Sequence, residues 1–221
     1  MKDQVVVITG SSSGIGLAAV RAFERRGARV AHCSRSGAHG GARCDVRDES
    51  SVNEFARAVL RDYGPPSVLV NNAGIALWGS AATMPLAEWN DVIATNLTGM
   101  FLVTRAFLPA LLEAGRGTIV NVASLAGRNG VVNGSAYSAS KHGVLGFSRS
   151  LMMEVRKQGV RVIAICPGSV DTPIFEKEQP PFSVNRSRIM APDDVAEAIV
   201  SAVSLPDHAM VSELDIRPTN P

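Results

Sequence analysis

Short aliphatic runs alternate along the chain with longer stretches whose apolar residues recur at helical spacing. The runs VVVIT (5–9), RVAHCS (29–34), GARCDV (41–46), SVLVNNA (67–73), TIVNVAS (118–124), VRVIAIC (160–166) and SELDIR (212–217) predict strands. Several are continuous in Val and Ile, as strands covered on both faces should be. Helical patterns fill most of the gaps, at 15–26, 50–62, 85–114, 136–157 and 193–203. The last opens on APDD, where proline and acids mark a helix start. Strand–helix alternation predicts an α/β chain, with a parallel sheet and helices on both faces. Two connections break the rhythm. RSGAHGG (35–41) is too short and glycine-rich for a full helix, so a loop joins the second and third strands. The stretch from Thr172 to Met190 carries prolines and phenylalanines with weak periodicity and reads as a long connection, of the kind that forms lids or binding loops. No repeat or Pro/Gly/Ser-rich linker interrupts the pattern, so residues 1–221 are expected to form one domain.

Composition narrows the partners. The chain is 46% hydrophobic and 19% charged, which suits a sizeable core. Twenty-two basic and 20 acidic residues leave a formal charge of +2 with no basic run, so no nucleic-acid partner is expected. The N-terminal apolar run is too short for a secretory core or a membrane span, which points to the cytoplasm and away from membranes. Cys33, Cys44 and Cys166 form an odd set without C-x-x-C spacing. They predict neither disulfides nor a metal site, and Cys33 and Cys166 read as small hydrophobes in strands.

Candidate chemistry begins after the first strand. TGSSSGIGLAAV carries glycines at 10, 14 and 16, which permit a tight turn and close backbone approach. A helix starting near Ile15 aims free N–H groups and its positive dipole end at that turn, and a pyrophosphate is the natural occupant. The spacing is G-x-x-x-G-x-G, not the more widespread G-x-G-x-x-G. At the end of the second strand an acid would hold a ribose 2′-hydroxyl, whereas a base accommodates a 2′-phosphate. Here Arg35 stands between Ser34 and Ser36. Guanidinium suits phosphate, so NADP(H) is favoured over NAD(H).

SAYSASKHG places Tyr137 and Lys141 one helical turn apart on one face. A free phenol, with a pKa near 10, is a poor base at neutral pH. A nearby ammonium favours the phenolate, and lowering the pKa by two to three units needs roughly 3–4 kcal/mol. Tyr137 would then exchange a proton near working pH, while Lys141 reaches a cofactor ribose with its remaining donors. The same spacing also arises in ordinary surface pairs, so its company matters. VNVASLAG ends a strand at Ser124, where a hydroxyl can hold a substrate oxygen beside the phenol. VLVNNAG ends another with Asn72, Ala73 and Gly74. ATNLTG sets Asn96 inside a long helix, where asparagine is a poor helix former and either satisfies the fold or serves a site. CPGSVDTP closes the sixth strand through Pro167 and Gly168. All lie beyond the carboxyl ends of strands, where open parallel sheets bind ligands.

TGSSSGIG, NNAG, Ser124 followed by YSASK, and PGSVDT, in this order and spacing, resemble the classical short-chain dehydrogenase/reductase family, over about residues 4–217. The resemblance implies a Rossmann-like, doubly wound sheet of seven parallel strands. It implies a tetrad of Asn96, Ser124, Tyr137 and Lys141, with Tyr137 moving the proton, Ser124 orienting the carbonyl and Lys141 lowering the phenol pKa and binding ribose. Asn96 would hold a water that relays protons from Lys141. Ser12, Ser13 and Ile15 would meet the phosphates, Asp45 and Val46 the adenine, and Asn72 to Gly74 the adenosine side. Val170 and Thr172 would fix the nicotinamide carboxamide. A hydride would pass between nicotinamide and a small carbonyl or secondary alcohol, in a homodimer or homotetramer built through 85–114 and 136–157. Many NADP-dependent members carry Arg or Lys where Ser13 stands, so the 2′-phosphate rests on Arg35. SELDIRPTNP lacks the D-G-G ending of fatty-acid-synthesis reductases, which weakens a 3-oxoacyl-carrier-protein reductase role and leaves a small hydroxy-acid dehydrogenase as an alternative. A non-catalytic dinucleotide sensor is the alternative from another class, but it would not need Tyr137, Lys141 and Ser124 together. Substrate is expected between Tyr137 and the 172–190 loop. Phe175, Pro180, Pro181 and Phe182 would cover it, and Lys177, Arg186 and Arg188 would either meet an acid group or face solvent. His142 is expected to point away.

Overall fold

VVVIT forms β1 (Val5–Thr9), with all five residues buried. Around it the computed structural model, which describes residues 1–174 and 185–219, builds a seven-stranded sheet in the order β3-β2-β1-β4-β5-β6-β7. The other strands are β2 (Arg29–Ser34), β3 (Ala42–Arg43), β4 (Val68–Asn71), β5 (Gly117–Val122), β6 (Val160–Pro167) and β7 (Glu213–Ile216). Every pairing is parallel. The helices are α1 (Gly14–Glu24), α2 (Glu49–Asp62), α3 (Leu86–Ile93), α4 (Gly99–Glu113), α5 (Ser135–Val155) and α6 (Pro192–Val203).

Strand alternation divides the core into two layers. Val6 and Ile8 face α1 and α6, where Phe23, Val195 and Ile199 fill the space. Val7 and Leu69 face the other way, towards α2, α4 and α5, against Phe55, Phe107, Leu111 and Leu151. Phe107 is fully buried and meets Phe55 edge-on, with ring centroids 6.0 Å apart. Phe107→Ala is therefore expected to remove about 3–5 kcal/mol of stability, read from urea unfolding. A polar seam crosses the same layer. Asn71 Nδ2 donates to Thr104 Oγ1 and to Asn121 Oδ1, and Asn121 Nδ2 donates to Ser148 Oγ, each at 2.9 Å. These bonds pin α4 and α5 to the middle of the sheet and hold the ends of β4 and β5 in register beneath the site.

Two expected elements change. The third strand shrinks from 41–46 to Ala42–Arg43. It lies at the sheet edge with β2 as its neighbour, and Cys44 and Val46 turn inward over the α2 layer. The helix expected over 85–114 contains a π-helical turn at Ala94–Thr98, between α3 and α4. Leu86–Glu113 is long and apolar enough to cross a bilayer by length and composition. Its Val103, Phe107 and Leu111 instead pack into the sheet. The strand order reverses between β1 and β4, and a ligand crevice opens at such a switch point.

Candidate active site

The β1–α1 turn is shaped by what its glycines exclude. Gly10 has φ +70°, and a Cβ there would lie 2.6 Å from Ala73 Cα. Gly16 has no unusual φ, yet a Cβ would lie 2.3 Å from Gly10 O and 2.4 Å from Asn72 Nδ2. Ser13 is the extended N-cap of α1, with no side-chain cap bond and no acid in the first turn. The first amides of α1 therefore remain available to an anion. Thr9 and Asn72 lock the turn from below. Thr9 Oγ1 accepts from the amides of Asn72 and Ala73, and Asn72 Nδ2 donates to the carbonyls of Thr9 and Gly10. Both amide protons of Asn72 are thus spent on the cradle, so its side chain holds the turn. Thr172 closes the other side: its Cγ2 would be 3.0 Å from a Cβ on Gly14. Val170 is buried and forms a bridge with Met190. These features fit a dinucleotide with its pyrophosphate on the α1 terminus.

At the adenosine end Ser34 Oγ accepts from Gly37 N at 3.1 Å and lies 3.3 Å from Ser36 Oγ. Arg35 and Ser36 are exposed at the rim. Asp45 does not face this rim freely. Arg47 engages its carboxylate, at 2.7 Å from Oδ2, and holds its pKa below the usual carboxylate range. Val46 is buried against Gly99, where a Cβ would lie 2.7 Å from Val46 Cγ2.

The structure brings Tyr137, Lys141, Ser124 and Asn96 together at the ends of β4 and β5. Ser124 caps the 3-10 turn Leu125–Gly127, its Oγ accepting from Ala126 N at 3.1 Å. Its hydroxyl donates to Pro167 O at 3.5 Å and lies beside the Tyr137 phenol, where it favours the ionised form. Lys141 is buried, with Nζ donating to Val122 O at 2.8 Å and lying 5.8 Å from the Tyr137 ring centroid. Burial pulls its pKa down to about 8, against a smaller raising influence from Cys166. The phenol lies in the same buried pocket. Burial pushes Tyr137 above the ordinary tyrosine value, and Ser124 offsets this only in part.

Asn96 is held at both ends of its side-chain amide. Its Oδ1 accepts from Ile75 N at 2.8 Å, and its Nδ2 donates to Ile75 O at 2.9 Å and Ser140 Oγ at 3.0 Å. Both amide protons are committed, so the side chain clamps the 74–75 loop. The π turn is what lets an asparagine reach sideways from a helix. Ser140, fully buried, accepts from Asn96 and donates to Tyr137 O at 2.7 Å, tying that clamp to the helix of the phenol. Ser140→Ala leaves one Asn96 proton buried without a partner, an expected loss of about 1–3 kcal/mol in thermal unfolding. Sequence reasoning passed over Ser140 as a small residue, and passed over Trp78, whose ring centroid lies 5.6 Å from that of Tyr137. His142 points elsewhere, to Ser138 O. Arg186 pairs with Asp171 at 3.4 Å and Arg188 is exposed. Phe175, Lys177, Pro180, Pro181 and Phe182 lie outside the described residues.

The family model for short chain dehydrogenases matches residues 4–181. The chain belongs to the short-chain dehydrogenase/reductase family. It is an oxidoreductase of that family by its relatives as well. It is 44% identical over 192 residues to a protein of Streptomyces coelicolor provisionally named a ketoacyl reductase, covering 78% of this chain and 72% of the relative. It is 36% identical to the D-threitol dehydrogenase of Mycolicibacterium smegmatis, covering 92% and 87%. Among solved structures of the family, the actinorhodin polyketide ketoreductase with NADPH superposes with a TM-score of 0.89 at 35% identity, over 97% of this chain and 96% of that one.

Proposed function

We propose that this chain reduces a ketone to a secondary alcohol with NADPH, and that Tyr137 delivers the proton. The observation that carries the reading is the grouping of the Tyr137 phenol with Ser124 and buried Lys141, where burial favours the neutral phenol. A neutral phenol is a proton donor, so its state suits reduction. When bound, the reduced nicotinamide supplies the hydride. Ser124 orients the substrate oxygen beside Tyr137, and Trp78 walls one side of the phenol. Lys141 stays cationic below about 8 and offers its remaining donors to the ribose. Turnover in reduction is therefore expected to fall as pH rises through about 8, where Lys141 loses its proton; a pH–rate profile checks this. Asn96 acts through Ile75 and Ser140, positioning the loop and helix around the reacting atoms.

Arg35, exposed beside Ser34 and Ser36, supports a preference for the 2′-phosphate of NADPH. Relatives named as ketoacyl reductases support an acyl ketone as the substrate. Partly exposed Phe101 on α4, which meets Phe147 of α5 edge-on, and exposed Met153 support a homodimer or homotetramer through these helices. Three free cysteines suit a reducing compartment such as the cytoplasm. The test is a panel of ketones and β-ketoacyl thioesters with NADPH or NADH, followed by nicotinamide absorbance. Consumption of NADPH with an acyl ketone is expected. Turnover with none of the panel, or faster turnover with NADH, contradicts the reading.

A further inference from the structure

One buried histidine is not used by the chemistry above. His32 lies in β2 opposite Ile8 of β1 and is 9% exposed. Its Nδ1 is 2.8 Å from the hydroxyl of Ser11, a fully buried residue of the cradle turn. The Ser11 hydroxyl and the Ser11 amide also reach Cys33 O, each at 3.1 Å. On its other side the ring packs so closely on the 35–41 loop that a Cβ on Gly41 would lie 2.5 Å from Nδ1 and 2.8 Å from Cε1. The imidazole is therefore wedged between two turns, the pyrophosphate cradle and the loop that carries Arg35 and Ser36. One arrangement uses every proton: Ser11 donates to Cys33 O, and Nδ1–H donates to Ser11 Oγ. Nε2 is then the position that titrates, and the Ser11 bond survives in both charge states.

We propose that His32 is a further cofactor-affinity residue of this chain: it spaces the two turns and, on taking a proton at Nε2, places a positive charge beneath both, so that the anionic dinucleotide binds with proton uptake. The proposal rests on the dinucleotide reading above. Burial holds His32 below the ordinary histidine range, so the free ring is neutral at neutral pH. Glu24 of α1 faces it and favours the cation, while His39 of the 38–40 turn opposes it. The cradle turn presents hydroxyls, and β1 presents Ile8. Arg35 and Arg43 of the loop and its strand are exposed. An anion nearby raises the pKa of the ring. Affinity then increases as pH falls from the bound-state pKa towards the free-state pKa, and levels off below it.

The test is fluorescence titration with NADH between about pH 7.0 and 5.5, below the range in which Lys141 titrates. NADH lacks the 2′-phosphate, whose own ionisation complicates NADPH. Wild type is expected to bind NADH about three- to tenfold more tightly at the lower pH, and His32→Gln to reduce that ratio below about twofold. Calorimetric titration of the wild type in two buffers of different ionisation heat needs no variant, and it should show protons taken up on binding. Binding without uptake, or an undiminished pH slope in folded His32→Gln, overturns the role of His32 and leaves the cofactor reading intact. No binding of NADH or NADPH at any pH overturns both.

Discussion

Tyr137→Phe is expected to bind NADPH within about twofold of wild type and to lose roughly two to four orders of magnitude in ketone turnover. The ring is kept, so its contact with Trp78 at 5.6 Å between centroids survives. The backbone carbonyl that receives Ser140 survives too. What disappears is the hydroxyl beside Ser124, and with it the neutral acid that the geometry sets there. Binding affinity from nicotinamide fluorescence, read with steady-state turnover, separates the two effects. A variant that turns over normally removes the phenol from the mechanism.

The second large effect is expected at Gly16. Its φ is ordinary for a helix, so alanine brings no backbone strain. The obstacle is space: the new methyl would stand 2.3 Å from Gly10 O and 2.4 Å from Asn72 Nδ2. Asn72 is fastened to Thr9 and Gly10, so neither neighbour yields without opening the cradle. Gly16→Ala should cost about 1–3 kcal/mol of stability through overpacking. It should also weaken NADPH binding at least about tenfold, because the cradle and the first turn of α1 move apart. Thermal unfolding and fluorescence titration measure the two losses. Unchanged affinity would show that the pyrophosphate does not rest there.

The strands at 5–9 and 67–73 were legible because their VVVI and VLV runs, with no polar alternation, suit a sheet covered on both faces. The short β3 was not, because GARCDV looks strand-like up to Val46 while the pairing that would extend it depends on an edge the pattern does not encode. The grouping of Tyr137, Lys141 and Ser124 was legible from helical spacing and strand ends. A four-residue spacing tells that two side chains share a face; it does not tell that the ammonium would bind Val122 O. Asn96 carried a local signal, a poor helix former in an apolar helix. Only the π turn shows that its amide grips Ile75 and Ser140. Ser11 and His32 carried none, since their bond joins a turn to a neighbouring strand 21 residues away.

The most direct measurement exploits the two tyrosines of the chain. Tyr63 ends α2 far from the site, so Tyr63→Phe leaves Tyr137 as the one phenol. Ultraviolet titration of that variant then reads the proton donor alone. An ionisation above the ordinary tyrosine value, near 10, is the predicted result, and ionisation at or below neutral pH would contradict a reductase that works through a neutral phenol.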